Sequence, residues 1–175
     1  LRVLELEMPA LAAAPAFDFS KGNKGWQVFA TSVSDDQRRP AETPSQPQGS
    51  WAGGEFRSVP SRLLLSPPVR IEAAEQNFAS VRMAVDRGQH ATLFFLTEKD
   101  SGLHSFTFPI QADGKEQTYN LDLLAAKNWR GKVIGLGLRL SDATNAMATL
   151  RSLAVSDQPQ GPPQLKLVSF AVEDA

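Results

Sequence analysis

Positions 118–123 read TYNLDL and, after a short interruption, positions 128–140 read NWRGKVIGLGLRL. In both runs every second residue is apolar and falls on one side of an extended chain: Tyr119, Leu121 and Leu123, then Ile134, Leu136, Leu138 and Leu140. A period of two is typical of β-strands that place one face in a core and the other toward water or a second layer. This stretch therefore predicts two strands joined around a Trp-Arg-Gly turn.

The same alternation recurs along the chain, in about nine or ten candidate strands separated by turn residues. The clearest are 26–33, 62–65, 78–85, 90–97, 104–110 and 146–155, the last with a register break between Leu150 and Leu153. Residues 93–96 are apolar on both sides, as in a central strand between two layers. Because amphipathic helices and a strand–helix–strand rhythm are lacking, we predict an all-β fold, an antiparallel β-sandwich.

Composition limits the classes of function. The chain has 175 residues, 42% hydrophobic and 21% charged, which is typical of one globular domain with a substantial core. Lys and Arg number 18 against 19 Asp and Glu, and this balance argues against a nucleic-acid or anionic-membrane surface. Cysteine is absent, which excludes disulfides, thiolate metal sites and thiol nucleophiles. No apolar stretch approaches the roughly 18 residues of a membrane-spanning helix.

Proline marks the predicted boundaries. We expect a sandwich domain over 1–157 that contains a proline-rich surface loop at 34–49. Positions 158–164 have the composition of a linker. Positions 165–175 resume apolar alternation, either as the first strand of a truncated following domain or as a strand that packs back on the sandwich.

Five stretches carry a resemblance to a known family: 19–26, 77–83, 91–95, 117–123 and 129–140. Their strand pattern and aromatic landmarks resemble the galactose-binding-like jelly-roll domains that accompany bacterial glycoside hydrolases, lyases and cell-surface proteins as carbohydrate-binding-like modules. The resemblance covers roughly 17–155, and the insert at 34–49 departs from it. It implies a non-catalytic jelly roll in an exported, multidomain bacterial protein, located outside the cell, on its surface or in the periplasm, with neighbouring domains as partners.

Tryptophan is the first candidate for sugar contact, because an indole stacks on the apolar face of a pyranose. We expect Trp26 and Trp129 to be packing residues, as in the resembling domains, whereas Trp51 adjoins a polar loop and Gly53-Gly54 and is predicted to be an exposed platform. The polar residues expected to supply hydrogen bonds to a glycan are Gln27, Arg82, Gln89, Lys132 and Arg139.

Metal and catalytic chemistry have little support. A structural calcium ion, the one cofactor considered, would find Asp18 and Asp157 at the junction of the first and last strands. The starts of two strands carry His90 and His104, which could share one end of the sandwich, but no metal-binding motif accompanies them. The aspartates fall mostly in turns and are unpaired, so we expect no enzyme.

Three functional hypotheses follow, and the last of them is a lyase or hydrolase with a shallow carboxylate site. The first is a non-catalytic carbohydrate-binding-like accessory module of an exported bacterial protein. The second is a structural or protein-interaction β-sandwich with no small-molecule ligand, suggested by the linker at 158–164 and the strand at 165–175. Alternating glycines at 135 and 137 indicate close packing of a chain element or a large aromatic ring on that face.

Overall fold

The computed structural model describes residues 15–33, 42–47, 51–58 and 62–162. The strands of these residues are β1 Ala16–Asp18, β2 Gln27–Val33, β3 Glu42–Pro47, β4 Gly54–Ser58, β5 Arg62–Leu65, β6 Ile71–Glu72, β7 Phe78–Val85, β8 His90–Thr97, β9 His104–Pro109, β10 Glu116–Asp122, β11 Lys132–Arg139 and β12 Ala146–Ser156. Two 3-10 helices, η1 Phe19–Lys21 and η2 Leu123–Ala125, complete the description. The predicted strand at 165–175 and the end of the predicted linker at 158–164 lie outside the described residues.

The strands form two antiparallel sheets that pack face to face, which confirms the predicted sandwich. Sheet A has the order β1-β12-β7-β10, and β4 also pairs with β12. Sheet B has the order β3-β2-β5-β11-β8-β9, and β6 also pairs with β11. The alternation that predicted the strands is the cause, since it lets each sheet bury one face against the other.

The main core lies between the sheets and contains the residues expected there from the decisive stretch. Tyr119, Leu121 and Leu123 are all buried, as are Leu136 and Leu138 in β11. The bounds of β7 and β8 agree with the predicted strands at 78–85 and 90–97. Local alternation therefore predicted the centre of both sheets correctly.

One residue of that stretch was placed on the wrong face. Ile134 was expected in the core, but its side chain is 43% exposed while Val133 is fully buried. The pairing of β11 with β8 shifts register between Val133 and Gly135. This β-bulge adds one residue to the strand, so Val133 rather than Ile134 takes the core-facing position.

The outer face of sheet B carries a second apolar cluster. Leu63, Phe94 and Leu103 are buried in it, and Phe29, Leu65 and Leu96 pack against them. Leu93 and Phe95, which alternate with Phe94 and Leu96 along β8, point into the main core. Residues 93–95 are thus buried on both sides of β8, as predicted, but among the described residues the outer side is covered by this cluster and not by a further layer.

The two outward glycines of β11 lie beneath this cluster. A Cβ at Gly137 would lie 3.3 Å from each of Leu63 Cδ1, the Leu64 carbonyl oxygen and Phe94 Cβ. At Gly135 the nearest atom would be Leu96 Cδ1, at 3.0 Å, the end of a flexible side chain. The expected close packing on this face is confirmed at Gly137, where the chain element that approaches is the neighbouring strand β5, through the Leu64 carbonyl.

Part of the predicted surface loop at 34–49 is a strand. Residues Glu42–Pro47 form β3, which pairs with β2 in the register Phe29↔Pro47 and Thr31↔Pro44. Proline supplies no donor to a ladder, but β3 is the last strand of sheet B, where one side of the backbone needs no partner. Residues 34–41 and 48–50 lie outside the described residues.

The sandwich has two ends with different turns. The turns at 86–89, 110–115 and 140–145 meet at one end, which we call the Gln89 end, through bonds such as Gly114 N–H to the Val85 carbonyl. The turns at 73–77, 98–103 and 123–131 meet at the opposite end, which we call the Trp129 end.

Candidate functional site

All three tryptophans are buried. Trp26 is fully buried and meets the ring edges of Phe17 and Phe19 at 5.2 and 5.5 Å between ring centroids. Trp129 is 5% exposed, lies against Phe95, and donates its indole N–H to a backbone carbonyl at 3.1 Å. The expectation that Trp26 and Trp129 are packing residues is confirmed.

The expectation that Trp51 is an exposed platform is wrong. Its side chain is 4% exposed, and its ring lies 5.1 Å from that of Phe19. The indole N–H donates to the Glu55 carbonyl at 3.1 Å, and the Trp51 carbonyl accepts from the Asn23 side chain at 2.8 Å. Both faces of the indole are therefore unavailable for stacking, since Trp51 closes the core beside β1.

The predicted polar contacts do not converge. Gln27 and Arg139 belong to the outer face of sheet B, where the Arg139 guanidinium lies 4.9 Å from the centroid of the Phe94 ring. Gln89 is exposed at the Gln89 end, whereas Lys132 is half-buried at the Trp129 end. Arg82 stands alone among them on the outer face of sheet A, so no single glycan unit reaches all five.

The two aspartates proposed for calcium do not share a site. Pairing of β1 with β12 puts Asp18 opposite Ser152, five residues before Asp157. At about 3.3 Å per residue, the Cα atoms of the two aspartates are separated by about 16 Å along the strand direction. Asp18 instead caps η1, and its Oδ1 accepts from the N–H and the hydroxyl of Ser20 at 3.0 and 2.6 Å. These two bonds, the hydroxyl first, lower the pKa of Asp18.

The histidines occupy opposite ends, contrary to the expectation of a shared one. Antiparallel pairing places His90 opposite Pro109 and His104 opposite Phe95. His90 Nδ1 lies 3.1 Å from Asp142 Oδ2, and His104 Nε2 lies 3.7 Å from Asp100 Oδ2. Among the described residues, no group of three or more His, Asp or Glu side chains could hold a metal ion.

The carboxylate of Asp142 is held by neighbours at the Gln89 end. Partial burial raises its pKa, but backbone hydrogen bonds from Gln89 and His90, together with the His90 ring, outweigh this and lower the pKa of Asp142 below its ordinary value. The Gln89 N–H donates to Oδ1 at 2.8 Å. These contacts connect the turn at 86–89 to the turn at 140–145.

Polar side chains do converge on the outer face of sheet A. They form an open groove of about 500 Å³, which we call the sheet A groove, lined by Asp18, Ser20, Arg82, Glu116, Arg151 and Ser152. Small residues flank the groove, because Ala84, Ser80 and Ala154 occupy neighbouring outward positions of β7 and β12. The groove is open to solvent, and all six residues that line it are polar or charged.

A carboxylate bridged by two guanidinium groups forms one wall of this groove. Glu116 Oε1 accepts from Arg82, and Glu116 Oε2 accepts from Arg151 Nε at 3.0 Å. The Arg82 and Arg151 side chains are 58% and 50% exposed, and their other guanidinium nitrogens have no partner among the described residues. Desolvation raises the pKa of Glu116, but the two arginines outweigh it, so this pKa lies below its ordinary value.

The register of β12 brings Arg151 into the groove. Pairing with β7 shifts between Leu150 and Ser152, as the predicted register break required. The bulge keeps Leu150 and Leu153 buried although three positions separate them, and it leaves Arg151 and Ser152 on the outside. Arg82 and Asp18 had been singled out in the sequence, whereas Glu116, Arg151 and Ser20 had not. Charged residues at outward positions of adjacent strands were the available signal.

Comparisons with known proteins define the fold. The "xylan-binding module CBM15" superposes with a TM-score of 0.50 and 13% identity, over 82% of this chain and 97% of that chain. A carbohydrate-binding module, CBM6cm-2, from Cellvibrio mixtus lichenase 5A in complex with cellotriose has a TM-score of 0.41 and 13% identity, over 83% and 98%. The low-affinity xylan-binding module CBM86 from Roseburia intestinalis has a TM-score of 0.40 and 14% identity, over 85% and 97%.

The chain therefore has the jelly-roll fold of carbohydrate-binding modules. No protein-family model matches it. No curated protein matches it at the sequence level. No helix among the described residues is long and apolar enough to cross a membrane.

Proposed function

We propose that this domain is a non-catalytic carbohydrate-binding module and that the sheet A groove is its binding surface for neutral saccharides. The single observation that carries the proposal is the Glu116 carboxylate held between Arg82 and Arg151 at the wall of an open polar groove. The jelly-roll fold shared with a xylan-binding module supports the class of ligand.

The chemistry of the groove suits vicinal hydroxyls. A guanidinium presents parallel N–H donors and a carboxylate presents two acceptor oxygens, so adjacent hydroxyls of one sugar can bind both. Because Asp18 Oδ2 has no partner among the described residues, it is a further acceptor in the groove. Two arginines balance two carboxylates, so the groove has no net charge and favours a neutral ligand.

The proposal includes export and a multidomain context. Polysaccharides that such a module would hold lie outside the cell, so we place the protein on the surface, in the periplasm or in the medium. Neighbouring domains of a longer chain would then be its covalent partners. A catalytic role is not proposed, because the groove presents a carboxylate already committed to two arginines.

The test is binding of neutral polysaccharides, including xylan, galactan and β-glucan, by affinity electrophoresis and calorimetry. The variant Arg82→Gln/Glu116→Gln removes two charged partners, and each charged hydrogen bond to ligand contributes about 1.5–3 kcal/mol, or at least about tenfold in affinity. The control Glu55→Gln/Arg57→Gln alters the same residue types at exposed outward positions of β4, outside the groove.

We expect affinity to fall at least about tenfold in the groove variant and to remain unchanged in the β4 control. Unchanged affinity in the groove variant would refute the assignment of the groove. A wild-type protein that binds no neutral saccharide in the panel would refute the proposed function and would favour the structural or protein-interaction sandwich.

A further inference from the structure

A second concave surface, chemically unlike the sheet A groove, lies at the Trp129 end. It is a cleft of about 290 Å³, which we call the end cleft, close to the lower bound of about 300 Å³ typical of small-molecule sites. It is lined by Thr97, Lys99, Asp100, Arg130, Gly131 and Lys132. The lining of the end cleft therefore contains three cations and one carboxylate, whereas the lining of the sheet A groove contains two cations and two carboxylates.

The chain brings these cations together through two turns. Lys99 lies in the turn after β8, and the Glu98 N–H of that turn donates to the Lys132 carbonyl at 2.9 Å. Gly131 has a left-handed φ of 67°, which reverses the chain between Arg130 and Lys132. Since these turns are anchored to the ends of β8 and β11, the cations are positioned by the sheet rather than by free loops.

The carboxylate of the end cleft does not neutralise these cations. Asp100 Oδ2 lies 3.5 Å from the Thr97 hydroxyl and 3.7 Å from His104 Nε2. Neither Lys99, Arg130 nor Lys132 has a carboxylate within 4 Å among the described residues. Glu72 lies opposite Lys132 in the β6–β11 pairing but does not line the cleft.

We propose that the end cleft binds the anionic group, a carboxylate or a sulfate, of an acidic saccharide. Converging like charges repel one another, and a bound anion relieves that repulsion while it accepts charge-assisted hydrogen bonds. The exposed Asp100 carboxylate beside the cations can accept from a hydroxyl of the same sugar. The inference rests on the proposed function in one respect, that the anion is carried by a saccharide.

The experiment uses calorimetry on the full chain with three probes of equal length: tetragalacturonate, sulfated maltotetraose and neutral maltotetraose. The test variant is Lys99→Gln/Arg130→Gln, in which both side chains are exposed. The matched control is Arg87→Gln/Lys115→Gln, which removes the same charge at exposed positions near the Gln89 end. Circular dichroism melting checks that both variants are folded.

We expect wild-type protein to bind an acidic probe and to bind the neutral probe less tightly. The cleft variant should lose about tenfold affinity for each charge-assisted hydrogen bond removed, and the control should lose none. Raising salt from about 0.1 to about 1 M should weaken this binding, because the Debye length shrinks from about 10 to about 3 Å. Preference for tetragalacturonate identifies a carboxylate ligand, and preference for sulfated maltotetraose identifies a sulfate ligand.

Failure to bind either acidic probe would overturn the inference, as would equal losses in the cleft variant and its control. These outcomes are separable from failure of the proposed function. The Arg82→Gln/Glu116→Gln variant tests the sheet A groove with neutral polysaccharides and leaves all cations of the end cleft in place.

Discussion

Because Trp51 is buried, we expect its replacement to change the stability of the domain and not its ligand binding. Trp51→Ala removes a nearly fully buried indole, so we expect the free energy of unfolding to fall by about 3–5 kcal/mol. Trp51→Phe keeps a ring against Phe19 but loses the hydrogen bond to the Glu55 carbonyl, worth about 1 kcal/mol. With the lost packing of the larger indole, the Phe variant should be destabilised by about 1–3 kcal/mol.

Thermal and urea unfolding followed by circular dichroism measure both changes. In a domain of this size, 1 kcal/mol shifts the melting temperature by about 2–4 °C. The Phe variant should therefore melt about 2–12 °C below the wild type, whereas Ile134→Ala, at a 43% exposed position, should change stability by no more than about 0.5 kcal/mol.

Saccharide binding by the folded Trp51→Phe protein tests whether the Trp51 indole contacts a ligand. Because the indole is buried against Phe19 and the Glu55 carbonyl and does not line the sheet A groove, we expect the affinity for any neutral ligand of that groove to be unchanged. A Phe variant that melts like the wild type but loses saccharide binding would show that the indole meets the ligand, and the placement of Trp51 would be refuted.

Two further predictions concern packing and acid stability. Gly137→Ala should be destabilised by about 0.5–2 kcal/mol, because its methyl group would lie 3.3 Å from the Leu64 carbonyl oxygen and the Phe94 Cβ, which are held by their strands. Gly135→Ala meets the flexible end of Leu96 and should be neutral or slightly stabilised, so equal urea midpoints for the two variants would contradict this. The folded-state pKa of Asp142 is lowered, so its stabilisation is complete above its unfolded-state pKa of about 3.9 and is lost as pH falls through the lower folded-state value. Asp142→Asn should therefore be less stable than the wild type at neutral pH, and the difference should shrink below about pH 4 in unfolding measured across that range; a pH-independent difference would count against this linkage.

The strands could be predicted wherever their signal was local. The bounds of β7 and β8 followed from alternation and from the turn residues 86–89, and the register break in β12 followed from the spacing of Leu150 and Leu153. These features depend on neighbouring residues, so no knowledge of the sheet partners was needed.

The errors arose where distant pairing overrides the local pattern. The bulge at Val133 exposes Ile134, and the edge position of β3 admits prolines that indicate a loop by composition. Trp51 adjoins a polar segment in sequence, yet it packs against Phe19, more than thirty positions earlier.

The candidate sites also depend on pairing between strands that are distant in sequence. Arg82 was identified from the sequence, but its partners Glu116 and Arg151 come from strands β10 and β12, and only the register of sheet A brings them together. The end cleft joins the turn after β8 to the turn before β11. Charge alternation within one strand carries no information about which neighbour will lie beside it.

The extra residue in β12 contributes to the surface of sheet A and not to the hydrophobic interior. Deleting Arg151 would restore a regular ladder in which Leu150 and Leu153 lie two positions apart and both stay buried, but the sheet A groove would lose one of its two arginines. The interior thus accepts the strand with or without this residue, whereas the two-arginine wall of the groove requires it. Ligand preference at this face can therefore diverge among descendants of the domain by loss of a single residue as well as by substitution, while the interior stays unchanged.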